Sequence, residues 1–240
     1  MAKFKMFSSF VVLSLMCTVA LAQTQDSYDY HSEFTWGINK NTYSGFIGGL
    51  FFKSAKRLND KNLRSYGLEI INVKNPQEVR RTSLSGNQFL YGKSNYLYAI
   101  RPQIGLDHIL FKKAPQQGAE IKAVFAAGPT FGVVMPYYVQ ISNNGGDVPV
   151  YEKYTPAVKT TDIDGAGRPF QGLSESKIQM GINLKAAINF EIGAVKSSVT
   201  GFEGGFLLDA YAQKVIMVPA AKNYAIYPTF FIAIFYGSRR

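Results

Sequence analysis

The sequence predicts an all-β fold: a closed antiparallel up-and-down transmembrane β-barrel of about 8 strands with a filled lumen. Three observations point there. Apolar and polar side chains alternate over segments of nine residues or more, the period of two that belongs to strands. The connections between these segments alternate between short and long, as in barrels whose hairpins face two different compartments. No apolar run beyond the N-terminal segment reaches the roughly 20 residues of a spanning helix.

Residues 1–22 read as a signal peptide. Lys3 and Lys5 make its start positive, Phe10 to Cys17 form its apolar stretch, and Ala20-Leu21-Ala22 offers a small-x-small cleavage site before Gln23. The domain is then 23–240, with no Gly/Ser or Pro-rich linker dividing it. Cys17, the single cysteine, leaves with the signal. That excludes a disulfide, a thiol nucleophile and a Cys-based metal site in the remainder. The formal charge of +10 falls to +8 once Lys3 and Lys5 are removed. Its basic residues are dispersed through turns and ends, which argues against nucleic acid as a partner. Outer-membrane lipid and lipopolysaccharide phosphates are the expected neighbours.

The longest alternation is Lys177 to Glu191. Ile178, Met180, Ile182, Leu184, Ala186, Ile188 and Phe190 share one face, and Gln179, Asn183, Lys185, Asn189 and Glu191 share the other. Other strands are predicted over 28–39, 42–56, 65–74, 95–112, 119 to about 140, 198–211 and 225–236. In the first, Tyr28, Tyr30, Phe34, Trp36 and Ile38 are expected outward and His31, Glu33 and Thr35 inward. The faces of the second are ambiguous. In the fifth, Pro129 and Pro136 are expected to mark bulges or a break.

Short turns are expected at 57–64, 113–118 and 192–197, and longer outer loops at 75–94, 141–176 and 212–224; the outer turn Lys40-Asn41 is the short exception. In lipid an unpaired strand edge has no water to bond, so first and last strands must pair. Tyr96, Tyr98, Tyr137, Tyr138, Tyr227 and Tyr236 are expected in interfacial girdles.

The stretch Trp36-Gly37-Ile38-Asn39-Lys40-Asn41-Thr42, with Ser44-Gly45 and Ile47-Gly48-Gly49, and then Gly67-Leu68-Glu69-Ile70-Ile71-Asn72-Val73-Lys74-Asn75-Pro76, resembles small outer-membrane β-barrel proteins of the Bacteroidota. The likeness covers roughly the first half of the domain. It implies a fold and an outer-membrane location, not a chemistry. The C-terminus departs from the common barrel pattern of a final aromatic residue, because Gly237, Ser238, Arg239 and Arg240 follow Tyr236.

Candidate functional residues fall into two groups. Glu33, Glu69, Arg101, Asp107, Lys122, Lys185, Glu203 and Asp209 form a polar lumen set. Unpaired buried charge is costly, so a network of ion pairs is expected, with Glu69 and Arg101 on adjacent strands as its first pair. A substrate path or proton relay is the alternative. In the long outer loop, Tyr151, Tyr154, Arg168 and Phe170 are candidates for contact with an envelope protein, the alternative being a cover over the barrel mouth. No cofactor or metal site is read: Asp162-Ile163-Asp164-Gly165 is a weak calcium-like fragment better explained as a turn. The two histidines, His31 and His108, have no serine placed to act as a nucleophile. His31 and Ser32 point to opposite faces of a strand. The expectation is a non-enzymatic structural or accessory barrel contacting lipopolysaccharide or another envelope protein. The alternative is a small solute channel, and a lipid-modifying enzyme comes after that.

Overall fold

The computed structural model describes residues 30–45, 48–112, 118–142, 149–155, 157–192 and 198–240. The signal peptide expected over 1–22 lies outside them. In chain order the strands are β1 (Ser32–Asn41), β2 (Gly49–Asn59), β3 (Asn62–Val73), β4 (Val79–Thr82), β5 (Gln88–Tyr91), β6 (Asn95–Phe111) and β7 (Glu120–Pro136). There follow β8 (Tyr138–Ile141), β9 (Val150–Lys153), β10 (Ile163–Ala166), β11 (Lys177–Glu191), β12 (Ser198–Tyr211) and β13 (Ile226–Arg239).

Eight of them close a barrel in the order β1-β13-β12-β11-β7-β6-β3-β2, every neighbouring pair antiparallel. The closing pair sets Trp36 opposite Tyr236 and Phe34 opposite Ser238, so the ring has no free edge. The barrel strands run 10 to 17 residues, enough to cross a bilayer hydrocarbon core with a tilted strand of about 9–11.

Side-chain orientation is inverted relative to a water-soluble barrel. Trp36, Ile104, Phe125, Ile182, Leu184, Phe206 and Ile234 point outward and are exposed, whereas Glu33, Glu69, Arg101, Lys122, Glu203 and Asp209 are at most 3 % exposed. Apolar outside and charged inside is the combination that carries information about environment. Small residues make room for the larger inward ones. A Cβ at Gly37 would lie 2.8 Å from the Phe51 ring, and one at Gly201 would lie 2.7 Å from the Phe235 ring.

The remaining strands stand at the end of the barrel where β3 finishes and β6 begins. β4 and β5 form a hairpin, and β8, β9 and β10 form a three-stranded sheet in the order β10-β8-β9. Ser83 and Ser85 donate to the Asp164 carbonyl at 2.8 and 3.0 Å, tying the two together. Between β12 and β13 the chain folds back into the mouth. Val215, Met217 and Val218 are buried there against Ile71, Val73, Leu97, Ala99, Tyr211 and Tyr227.

Several local expectations are corrected. The turn expected over 57–64 narrows to Asp60-Lys61, because the Asn59 side-chain carbonyl accepts the N–H groups of Lys61 and Asn62; the surrounding charged residues are strand ends. The turn expected at Lys40-Asn41 comes later, because β1 continues through Asn41 and β2 begins only at Gly49. The fifth barrel strand stops at Pro136, which has no N–H for the ladder, and the chain continues as β8. Pro129 marks a break and not a bulge: the β6–β7 pairing is interrupted between Ile100↔Phe131 and Ile104↔Ala127, with the register kept across the gap. Tyr30 turns inward rather than outward and His31 is exposed, because β1 begins only at Ser32 and the preceding residue curls into the mouth. Tyr137 and Tyr227 are each 1 % exposed and pack inward instead of joining a girdle.

Candidate functional site

The lumen is a stack of layers built from the inward positions of all eight barrel strands. At the end nearest both termini, Lys122 Nζ lies 2.8 Å from Glu33 and 3.2 Å from Glu120. Arg239 lies 3.1 Å from Glu33 and also pairs with Glu191. The Tyr30 hydroxyl donates to Glu120 at 2.7 Å, and the Arg239 guanidinium sits over the Tyr30 ring. Glu33, Glu120 and Glu191 bring carboxylate oxygens within 4.8 Å of one another. Two cations, Lys122 and Arg239, already face these three carboxylates.

In the middle layer, Lys53 pairs with Asp107 at 2.9 Å and with Glu203 at 3.5 Å. Lys185 bridges Glu203 at 2.7 Å and Glu69 at 2.8 Å. Ser65 donates to Asp107, and Asn189 to Glu203. Nearer the opposite end, Arg101 grips Asp209 with both Nε and Nη2 and reaches Glu69 at 3.4 Å. Thr130 adds a third donor to Asp209. Asn183 donates to the carbonyls of Gly128 and Pro129 and accepts from Gln103 at 2.8 Å. The apolar plug around Met217 closes the stack above.

All eight lumen residues singled out from the sequence therefore lie in two buried networks, Glu33 with Lys122 in one and Glu69, Arg101, Asp107, Lys185, Glu203 and Asp209 in the other, and Glu69 and Arg101 are direct cross-strand partners. Four further members escaped that selection: Lys53, Glu120, Glu191 and Arg239. Lys53 was hidden by the ambiguous faces of β2. Arg239 was hidden because β13 was expected to end at Tyr236, although the period of two continues through Phe235, Gly237 and Arg239. Glu120 and Glu191 sat on the inward face, and their signal was the surplus of cations left at that end.

The outer candidates separate. Tyr154 is buried, and its hydroxyl accepts the Gly92 N–H at 3.1 Å, so it belongs to the core of the outer sheets and not to a contact surface. Arg168 lies over the Tyr151 ring at 4.9 Å. Phe170 is 59 % exposed, faces the Tyr98 ring and holds a left-handed φ of 59°, a conformation that costs a non-glycine residue about 1–2 kcal/mol. In the same region Lys93 is fully buried and bonded to Glu78 at 2.5 Å. Its burial lowers the ammonium pKa below the usual lysine value, and Glu78 opposes that shift. The Asp164 carboxylate accepts from Gln140 at 2.9 Å, and the calcium-like fragment, expected as a turn, instead runs from a short helical turn at Thr160–Asp162 into strand β10. His108 bonds Asn62 at 2.8 Å.

No family model matches the chain, and no curated protein matches it. Among solved structures it is similar to Ail, the attachment invasion locus protein of Yersinia pestis, in complex with the heparin analogue sucrose octasulfate. The TM-score is 0.40 at 8 % identity, covering 88 % of this chain and 99 % of that one. A second Ail structure gives 0.41 and 9 % over the same shares. Neisserial surface protein A gives 0.34 at 10 % identity, covering 88 % of this chain and 95 % of that one.

Proposed function

We propose that this chain is a non-enzymatic outer-membrane barrel that does not conduct solutes, and that it serves as a structural or accessory component meeting other envelope components through its outer sheets. One observation carries the reading: the lumen charges are buried and joined to one another, with Lys185, Arg101, Lys53, Lys122 and Arg239 each bridging at least two acidic groups. A solute path needs water between such groups, and here side chains fill the space that an eight-stranded barrel encloses. The exposed apolar wall supports a lipid environment, because contiguous apolar surface of that extent is unfavourable in water. Leu84, Val79, Phe170 and Leu173 are exposed on the outer extension, where contact residues for a protein partner concentrate.

The location is tested by fractionation. The protein is expected in the outer membrane with a mature N-terminus near Gln23. Recovery in a soluble fraction, or retention of residues 1–22, contradicts the reading.

A further inference from the structure

At the seam where the barrel closes, Ile38, Lys40 and Thr42 project from the wall beside Ile234, Ile232 and Phe230. Between the two rows runs a groove of about 490 Å³ that climbs from mid-wall to the outer rim. Its exposed surface is apolar along most of its length. At the top it reaches Thr42, and Thr42 also lines a second cleft, of about 230 Å³, together with Ser44, Lys74, Asn75, Glu78 and Arg80.

The second cleft has the opposite chemistry. Its one carboxylate, Glu78, is engaged by Lys93 at 2.5 Å and by the Asn75 N–H at 3.0 Å. Lys74 and Arg80 have no ion pair among the described residues. Gly45 leaves room for the ammonium, since a Cβ there would come within 2.8 Å of Lys74 Nζ. Two cations with no ion pair among the described residues therefore face one small cleft at the outer rim of the wall. A guanidinium and an ammonium are the groups that grip phosphate oxygens, the first through paired N–H donors and the second as a point charge.

We propose that groove and cleft together hold one anionic lipid, with an acyl chain along Ile38, Ile232 and Ile234 and a headgroup phosphate between Lys74 and Arg80. The assignment rests on the outer-membrane reading above and specifies the lipid contact it implies. The wall groove accounts for the lipid and the cleft for the phosphate. A free phosphate engages the cleft alone, so the two sources of the same chemistry separate experimentally.

The test uses the purified full-length protein in detergent micelles and native mass spectrometry. Three probes are titrated: diphosphorylated lipid A, the same lipid without its phosphates, and inorganic phosphate. The diphosphorylated lipid is expected to be retained at least tenfold more strongly than either of the others. Lys74→Gln with Arg80→Gln should lower its retention at least tenfold, while Lys61→Gln, at the far rim, should leave it unchanged. Ile232→Trp, which fills the groove, should weaken lipid retention and leave inorganic phosphate unaffected. Heat-modifiable gel mobility confirms that each variant is folded, and Ile38→Phe replaces Ile232→Trp if the latter does not fold. Equal retention of the two lipids, or unchanged binding by the double variant, overturns the site. Inorganic phosphate binding as tightly as the lipid overturns the lipid assignment. Because binding is read in micelles, its failure is distinct from a failure of the outer-membrane location, which fractionation reads.

Discussion

Arg101 serves two carboxylates, and that changes what its removal does. Its fork is spent on Asp209, and Glu69 receives the remaining Nη1 donor at 3.4 Å while also holding Lys185 at 2.8 Å. Arg101→Met should therefore leave Asp209 as the uncompensated charge, with a loss of about 3–5 kcal/mol for a broken buried pair. Adding Glu69→Gln should recover only part of that loss, because Asp209 is still stranded; adding Asp209→Asn should recover most of it. Unfolding in denaturant, followed by heat-modifiable mobility, gives the coupling energies. Strictly additive losses across the three variants would mean that these side chains do not act together. That Glu69 and Arg101 are neighbours was legible from alternation and strand order alone. That Asp209 is the stronger partner was not, because it reaches across the lumen from β12, and a contact across a barrel depends on diameter and stagger, which no period along one strand reveals.

Strands differ in how openly they state their faces. β11 carries isoleucine, leucine and phenylalanine on one side and amides and charges on the other for fifteen residues, so its register is readable without a structure. β2 and β13 carry aromatic residues on both faces, with Phe51, Phe231 and Phe235 inward and Phe52, Phe230 and Tyr236 outward. Their orientation is decided by which side finds a glycine opposite, as Phe51 finds Gly37. β4, β5, β9 and β10 fall in segments expected as loops, because strands of four residues between polar turns show too little periodicity to register, whereas β8 lies in the segment expected as the end of the fifth strand. The wall itself supplies an element-scale prediction. Leu184 lies mid-strand and Ile178 near the outer end of β11, and both point outward. Arginine at a bilayer midplane costs about 2–4 kcal/mol, falling to about 0–1 near the interface. Leu184→Arg should thus impair folding into vesicles far more than Ile178→Arg. Equal effects would place the membrane elsewhere on the strand or remove it from the account. Asn183, the inward neighbour, is no neutral control, since its amide already holds Gly128, Pro129 and Gln103.

Taken as a whole molecule, the barrel interior is crossed at three levels: by the cluster around Glu33, Lys122 and Arg239, by the Lys53 and Lys185 bridges, and by the plug that carries Met217 into the mouth. Among the described residues seven carboxylates and five cations share this interior, and each cation links at least two of the acids, so the interior is cross-linked from wall to wall. Electrical recording on the purified full-length protein in a planar bilayer tests this most directly. The account predicts a baseline without stepwise openings across the working voltage range, in the same preparation whose gel mobility shows it to be folded. Reproducible conductance steps from that preparation would contradict it, and would mean that the lumen charges line a path for ions.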